Sequence, residues 1–129
     1  MKRFQKKITV SADHLDENLH VNNVQYLYWV QEIARDHYTS VATAQQLKDY
    51  VWVAMDHYIE YKAPAYINEV LDITTYVEAF GAANSKRIVE ICTANTKKLI
   101  CKTTTNWCLL NAKTQKPLRI PKEMTALFM

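Results

Sequence analysis

Residues 14–32 read HLDENLHVNNVQYLYWVQE, His14 through Glu32, and the chain changes character inside them. Residues 11–21 are polar and irregular; from Asn22 onward the pattern is helical. Apolar side chains recur at Val24, Leu27, Tyr28, Ala34, Tyr38 and Val41, mostly three, four or seven apart, the spacing of one helix face. Asn22 is a good N-cap, and Gln25 three residues on makes a loose capping box. The predicted helix runs to about Ala44 and is the longest in the chain.

Strands flank it. Phe4–Val10 predicts a first strand. From residue 51 the period drops to two, with Val51, Val53, Met55, His57, Ile59 and Tyr61 alternating against Trp52, Ala54, Asp56, Tyr58 and Glu60. Pro64 ends that run, since it has no N–H for a ladder. Further strands are predicted at 70–79, 85–96 and 99–110, with turn signals at Gly81 and Asn84 and at Asn95 with Lys97 and Lys98. Pro117 and Pro121 mark an irregular tail. Short connections favour antiparallel neighbours, so the expected architecture is α+β, one domain over 1–129, with the helix on one face of the sheet.

Composition narrows the chemistry. The chain has 129 residues, 49% hydrophobic and 22% charged, ordinary for one globular domain. Sixteen basic and thirteen acidic residues leave +3, too little to argue for nucleic acid. Gly81 is the one glycine, which excludes GxGxxG, P-loop and GxSxG chemistry. Cys92, Cys101 and Cys108 fit neither a CxxC pair nor a disulfide framework and read as buried thiols in a reducing compartment. Lys2, Arg3, Lys6 and Lys7 precede no apolar run of signal or membrane-span length. The expectation is a soluble cytosolic protein with no membrane partner.

The segment 14–32 resembles the LDxNxHVNNxxYxxWxxE signature of acyl-acyl-carrier-protein thioesterases. More broadly it resembles the DxDxxGHVNNxxY signature of hotdog-fold thioesterases of the 4-hydroxybenzoyl-CoA thioesterase type. YIEYKAPAYINEVLDI, residues 58–73, resembles the segment that follows the helix in that family. The resemblance implies a five-stranded antiparallel sheet wrapped around one long helix, a homodimer or homotetramer, and no cofactor. There are departures: Leu19 stands where the family has glycine, and His14 stands at the first acid of DxD. Asn68-Glu69 replaces Gly-Asp, and Pro64 and Ala65 stand where the carrier-protein enzymes have Glu-Cys.

The residues alone support the same chemistry. A thioester is electrophilic and thiolate leaves easily, so hydrolysis needs mainly a base or nucleophile and an oxyanion donor. A helix start supplies the donor, here the backbone N–H near Asn23. Asp16 is the candidate base or nucleophile. In an extended loop Asn18 and His20 would project on its side, Asn18 to position carbonyl or water and His20 to orient water. Taken alone, Asp16 reads as a turn residue, and Asn22 reads as a cap; within the motif the catalytic reading of Asp16 is preferred. Tyr26 is read as contacting the acyl group or packing in the core, as are Tyr28 and Trp29. Lys86 and Arg87, with Lys97 and Lys98, form a candidate patch for coenzyme A phosphates or an acidic carrier protein. His14, Asp16 and His20 lack compact metal-ligand spacing, so no metal is expected. The alternatives are a non-catalytic acyl-thioester binding module, or a hydroxyacyl-thioester dehydratase using His20 and Glu32.

Overall fold

A computed structural model describes residues 1–129. The chain runs β1 (Phe4–Thr9), α1 (Asn23–Val41), α2 (Ala44–Asp49), β2 (Tyr50–Tyr61), β3 (Val70–Phe80), β4 (Asn84–Thr93), β5 (Leu99–Asn111) and α3 (Lys122–Ala126). The five strands form one sheet in the order β1-β3-β4-β5-β2, every neighbouring pair antiparallel. The expected α+β architecture, a five-stranded antiparallel sheet with one long helix, is what the chain adopts. Turns follow the sequence signals: Gly81 N–H donates to the Asn84 carbonyl (2.7 Å), and Thr93 N–H to that of Lys98 (2.9 Å).

The helix buries only part of the face its apolar spacing predicts: Ala34 is buried and Tyr38 and Val41 pack against the core, but the rest of the buried stripe lies elsewhere. Tyr26, Trp29, Val30, Ile33, Ala34 and His37 are buried, while Val24 is 54% and Tyr28 63% exposed. Two apolar stripes compete on α1, and the one carrying Trp29 and Ile33 buries more surface against the sheet. α1 also stops at Val41. Ala42 is extended, and Thr43 opens a new capping box with Gln46 that starts α2; the T-x-x-Q pattern was the signal for it. Asn22 caps α1 through Val24 N–H (2.9 Å), but without a reciprocal bond from the Gln25 side chain.

Two apolar clusters fill the space between helix and sheet. The larger packs Tyr26, Trp29, Val30 and Ile33 on Leu71, Ile73, Val89 and Ile91, with Cys101 among them. Of the three cysteines only Cys101 is fully buried; Cys92 and Cys108 are half-buried, and all three are free thiols. The smaller joins Val77 and Leu109 to Met124 and Phe128. The tail beyond Pro121 is therefore not irregular: it forms α3 and delivers two core side chains.

Asp72 on β3 is 4% exposed and holds two lysines, Lys7 at 2.6 Å and Lys97 at 2.9 Å. Hydrogen bonds from Lys7 and Lys97 pull its carboxyl below the usual range. A depressed folded-state pKa contributes stability that is present above the unfolded value of about 3.9 and lost as pH falls through the folded value. Asp72→Asn is expected to lower the denaturation midpoint at neutral pH, with the gap to wild type closing below about pH 4. A midpoint difference that persists undiminished in acid would show that the carboxylate's charge is not the source.

Candidate active site

The Asp16–His20 segment is a turn. Asp16 N–H donates to the His20 carbonyl (2.8 Å), and Leu19 N–H to that of Asp16 (3.1 Å). The carboxylate directs the folding: Asp16 Oδ1 accepts from the backbone N–H groups of Asn18 (2.9 Å) and His20 (3.3 Å). This corrects the expectation of an extended loop with Asp16, Asn18 and His20 on one side. Their link runs through backbone amides, because a carboxylate that satisfies amides two and four residues on curls the chain.

One carboxylate oxygen is thereby fixed and the other is left without a protein donor. Asn18 is exposed, and its side chain bonds nothing in the chain. The His20 ring packs edge-on against Tyr66 at 5.2 Å rather than turning to Asp16. His14 accepts from Ser11 N–H (3.0 Å) and meets the Trp29 ring edge-on, so it is part of the scaffold.

Leu19 closes the turn at φ 63°, where the family's glycine would sit, and its side chain is 69% exposed. A left-handed conformation costs a non-glycine residue roughly 1–2 kcal/mol, partly offset because leucine loses less backbone freedom on folding. Leu19→Gly is expected to stabilise the protein by about 0.5 kcal/mol, read from urea midpoints. A clear loss of stability would show that the exposed leucine makes contacts that outweigh the strain.

The turn is bound to the start of α1. Leu15 pairs with Val21, Val21 N–H donates to the Ala65 carbonyl (2.9 Å), and Asn22 N–H to that of His14 (2.9 Å). Of the first helical amides, Val24 N–H is taken by the Asn22 side chain and Gln25 N–H by the Asn22 carbonyl. Asn23 N–H has no partner in the protein. It is a free donor at the positive end of a 19-residue helix, suited to a developing oxyanion. The Tyr61 hydroxyl reaches the Asn23 carbonyl from β2 (3.4 Å).

The remaining candidates separate. Tyr26 is 2% exposed, packed on Trp29 and Tyr61, and its buried hydroxyl has no hydrogen-bond partner. Burial pushes that hydroxyl's pKa well up. Lys86 is exposed and paired with Glu78 (3.3 Å). Arg87 is not beside it: strand alternation turns Arg87 inward, 6% exposed, so the expected surface patch is split across two faces. Lys97 is engaged by Asp72. Glu32 is held by Lys6 (2.7 Å) on the outer face of α1, about 13 Å along the helix from its start, away from His20. No group of three or more His, Cys, Asp or Glu side chains is arranged to hold a metal, and no helix is long and apolar enough to cross a membrane.

One feature had no sequence signal. A cleft of about 570 Å³ opens between the second half of α1, the start of β2 and Phe128, with Arg87, Trp52 and Trp107 in its lining. It begins at Gln31, about 12 Å along α1 from Asn23, so it does not adjoin the Asp16 turn of the same chain.

Comparison with known proteins agrees with this architecture. The chain is 25% identical over 123 residues to the long-chain acyl-CoA thioesterase FadM of Escherichia coli K12, covering 94% of this chain and 93% of that protein. Among solved structures it superposes on YbaW, a probable thioesterase from Escherichia coli, with a TM-score of 0.87 and 24% identity over 95% of this chain and 94% of that one. It also superposes on the 12:0-ACP thioesterase of Umbellularia californica, with a TM-score of 0.84 and 16% identity, covering 98% of this chain but 51% of that one. The two superpositions speak to the hotdog fold alone. Residues 10–128 match the thioesterase-like superfamily. With that match over nearly its whole length, the chain belongs to the thioesterase-like superfamily, whose family and fold support hydrolysis of acyl thioesters.

Proposed function

We propose that the protein hydrolyses an acyl thioester to free acid and thiol, with Asp16 as general base or nucleophile and the Asn23 N–H as oxyanion donor. The observation that carries this reading is the pairing of a half-anchored carboxylate with an unused helix-start amide, joined through the Leu15–Val21 bridge. Asp16 Oδ2 can take a proton from water attacking the acyl carbon, or attack it directly. The N–H of Asn23 stabilises the tetrahedral oxyanion, and thiolate departs. Asn18 holds the water or carbonyl, His20 borders the site beside Tyr66, and Tyr26 forms its apolar floor. Lys86, which would exchange its surface pairing with Glu78, is the cation assigned to a phosphate-bearing carrier. Coenzyme A is favoured as that carrier by the likeness to FadM.

The working unit in this reading is a homodimer or homotetramer. β2 is a 12-residue edge strand with its outer side unpaired, and Met55, Tyr58 and Tyr61 on it are exposed. Such an edge invites pairing with a second copy. Antiparallel pairing about the middle of β2 sets the Tyr50–Ala54 end of one strand beside the Tyr61 end of its partner. The cleft of one protomer then faces the partner subunit's Asp16 turn.

The test is free-thiol release from short, long and aromatic acyl-CoAs and from the matching acyl-carrier-protein substrates, with mass measured by light scattering. Faster turnover of the CoA series by a dimer or larger assembly supports the reading. Faster turnover on carrier protein moves the carrier assignment. Tight binding of intact acyl-CoA with no thiol released from either series would instead establish a binding module.

A further inference from the structure

The cleft beside β2 is apolar in its walls but carries hydrogen-bond donors that nothing satisfies. Arg87 is its one buried charge, and no Asp or Glu lines it. Arg87 Nη1 donates to His37 Nδ1 (2.9 Å) and Thr75 Oγ1 (3.0 Å), both neutral acceptors. The other guanidinium nitrogens make no hydrogen bond, and no carboxylate pairs with the group. The indole N–H groups of Trp52 and Trp107, which also line the cleft, are buried without partners.

His37 cannot share the charge. Burial, and then the neighbouring Arg87, lower its pKa to about 4, so it is neutral at physiological pH. Burial lowers that of Arg87 only to about 10, leaving it a cation. The guanidinium is held rigidly, with the Phe128 ring 5.3 Å from its carbon. A buried cation and two orphan donors are each costly when unpaired. The cation's need is an anionic acceptor, and apolar walls around it suit a hydrocarbon chain.

We propose that this cleft binds the far end of an acyl chain that terminates in a carboxylate, with Arg87 as counter-ion. The preferred substrates are then ω-carboxyacyl thioesters, with the thioester at the partner subunit's Asp16. This assignment rests on the hydrolase reading for its chemistry, but the anion site itself does not.

The test has two arms. In the first, decanoic acid and methyl decanoate are titrated into the full-length protein by calorimetry and tryptophan fluorescence. The acid is expected to bind about ten- to a hundredfold more tightly, the range of a charge-assisted hydrogen bond. That ratio is expected to collapse towards one in Arg87→Met, while Arg87→Lys keeps part of it. Equal binding of acid and ester to wild type overturns the site, whatever the variants do. In the second arm, kcat/KM for decanedioyl-CoA, with its one free carboxylate, is compared with that for decanoyl-CoA. A preference of about tenfold or more for the former is expected; equal rates or the reverse order overturn the substrate assignment. Selective acid binding with no thiol released from either substrate supports the anion site and sinks the hydrolase reading instead.

Discussion

Phe128→Ala is expected to lower the unfolding free energy by about 3–5 kcal/mol, the cost of emptying a fully buried phenylalanine site. The ring is 1% exposed although it lies one residue from the C-terminus. It meets the His37 ring edge-on at 5.1 Å, lies 6.3 Å from both Tyr38 and Phe80, and sits beneath the Arg87 guanidinium. Its carbonyl accepts from Lys2 N–H (2.9 Å), so the end of the chain also ties down the start. The melting temperature should fall by roughly 10–20 °C. Removal of the ring also admits water to His37, whose low pKa comes first from burial, so that pKa should rise towards 6.5 in a histidine NMR titration. A fall of only a few degrees with an unmoved His37 would show that α3 does not seal the core.

That prediction could not be made from sequence. Pro117 and Pro121 correctly mark a break, but five helical residues after a proline carry too little periodicity to reveal which side chain turns inward. The same limit explains α1. Its start and cap were legible, though not its end, yet two apolar stripes share the helix, and only the sheet decides that Trp29 and Ile33 go in while Val24 and Tyr28 stay out. Strands read better, because a period of two leaves one choice of phase. Applied to β4, that period already separates Lys86 from Arg87, which the expectation of a common basic patch overlooked.

The site divides similarly. The turn and the helix start are local, so the residues from Asp16 to Asn23 could be found in one contiguous stretch. Leu19's positive φ was foreshadowed by its place in the motif. The cleft is assembled from α1, β2, β3, β4, β5 and the last residues of the chain. Its donors gain meaning only when seen to lack partners.

The Asp16 variant has the largest expected effect on function. Asparagine keeps an oxygen at the position of Oδ1, so the amides of Asn18 and His20 retain their acceptor and the turn persists. What is lost is the charge and basicity of the second oxygen. A loss of about a hundredfold or more in kcat is therefore expected, roughly 2.7 kcal/mol of transition-state stabilisation, with KM little changed. Asp16→Ala, by contrast, should cost both turnover and stability, because two backbone amides lose their acceptor.

The most direct measurement is therefore free-thiol release from a long-chain acyl-CoA by wild type and Asp16→Asn, side by side, with thermal melts of both. Turnover by wild type, a collapse of about a hundredfold or more in the variant, and coincident melts are expected. Equal release by two equally folded proteins would contradict a catalytic role, leaving Asp16 as the residue that shapes the turn and nothing more.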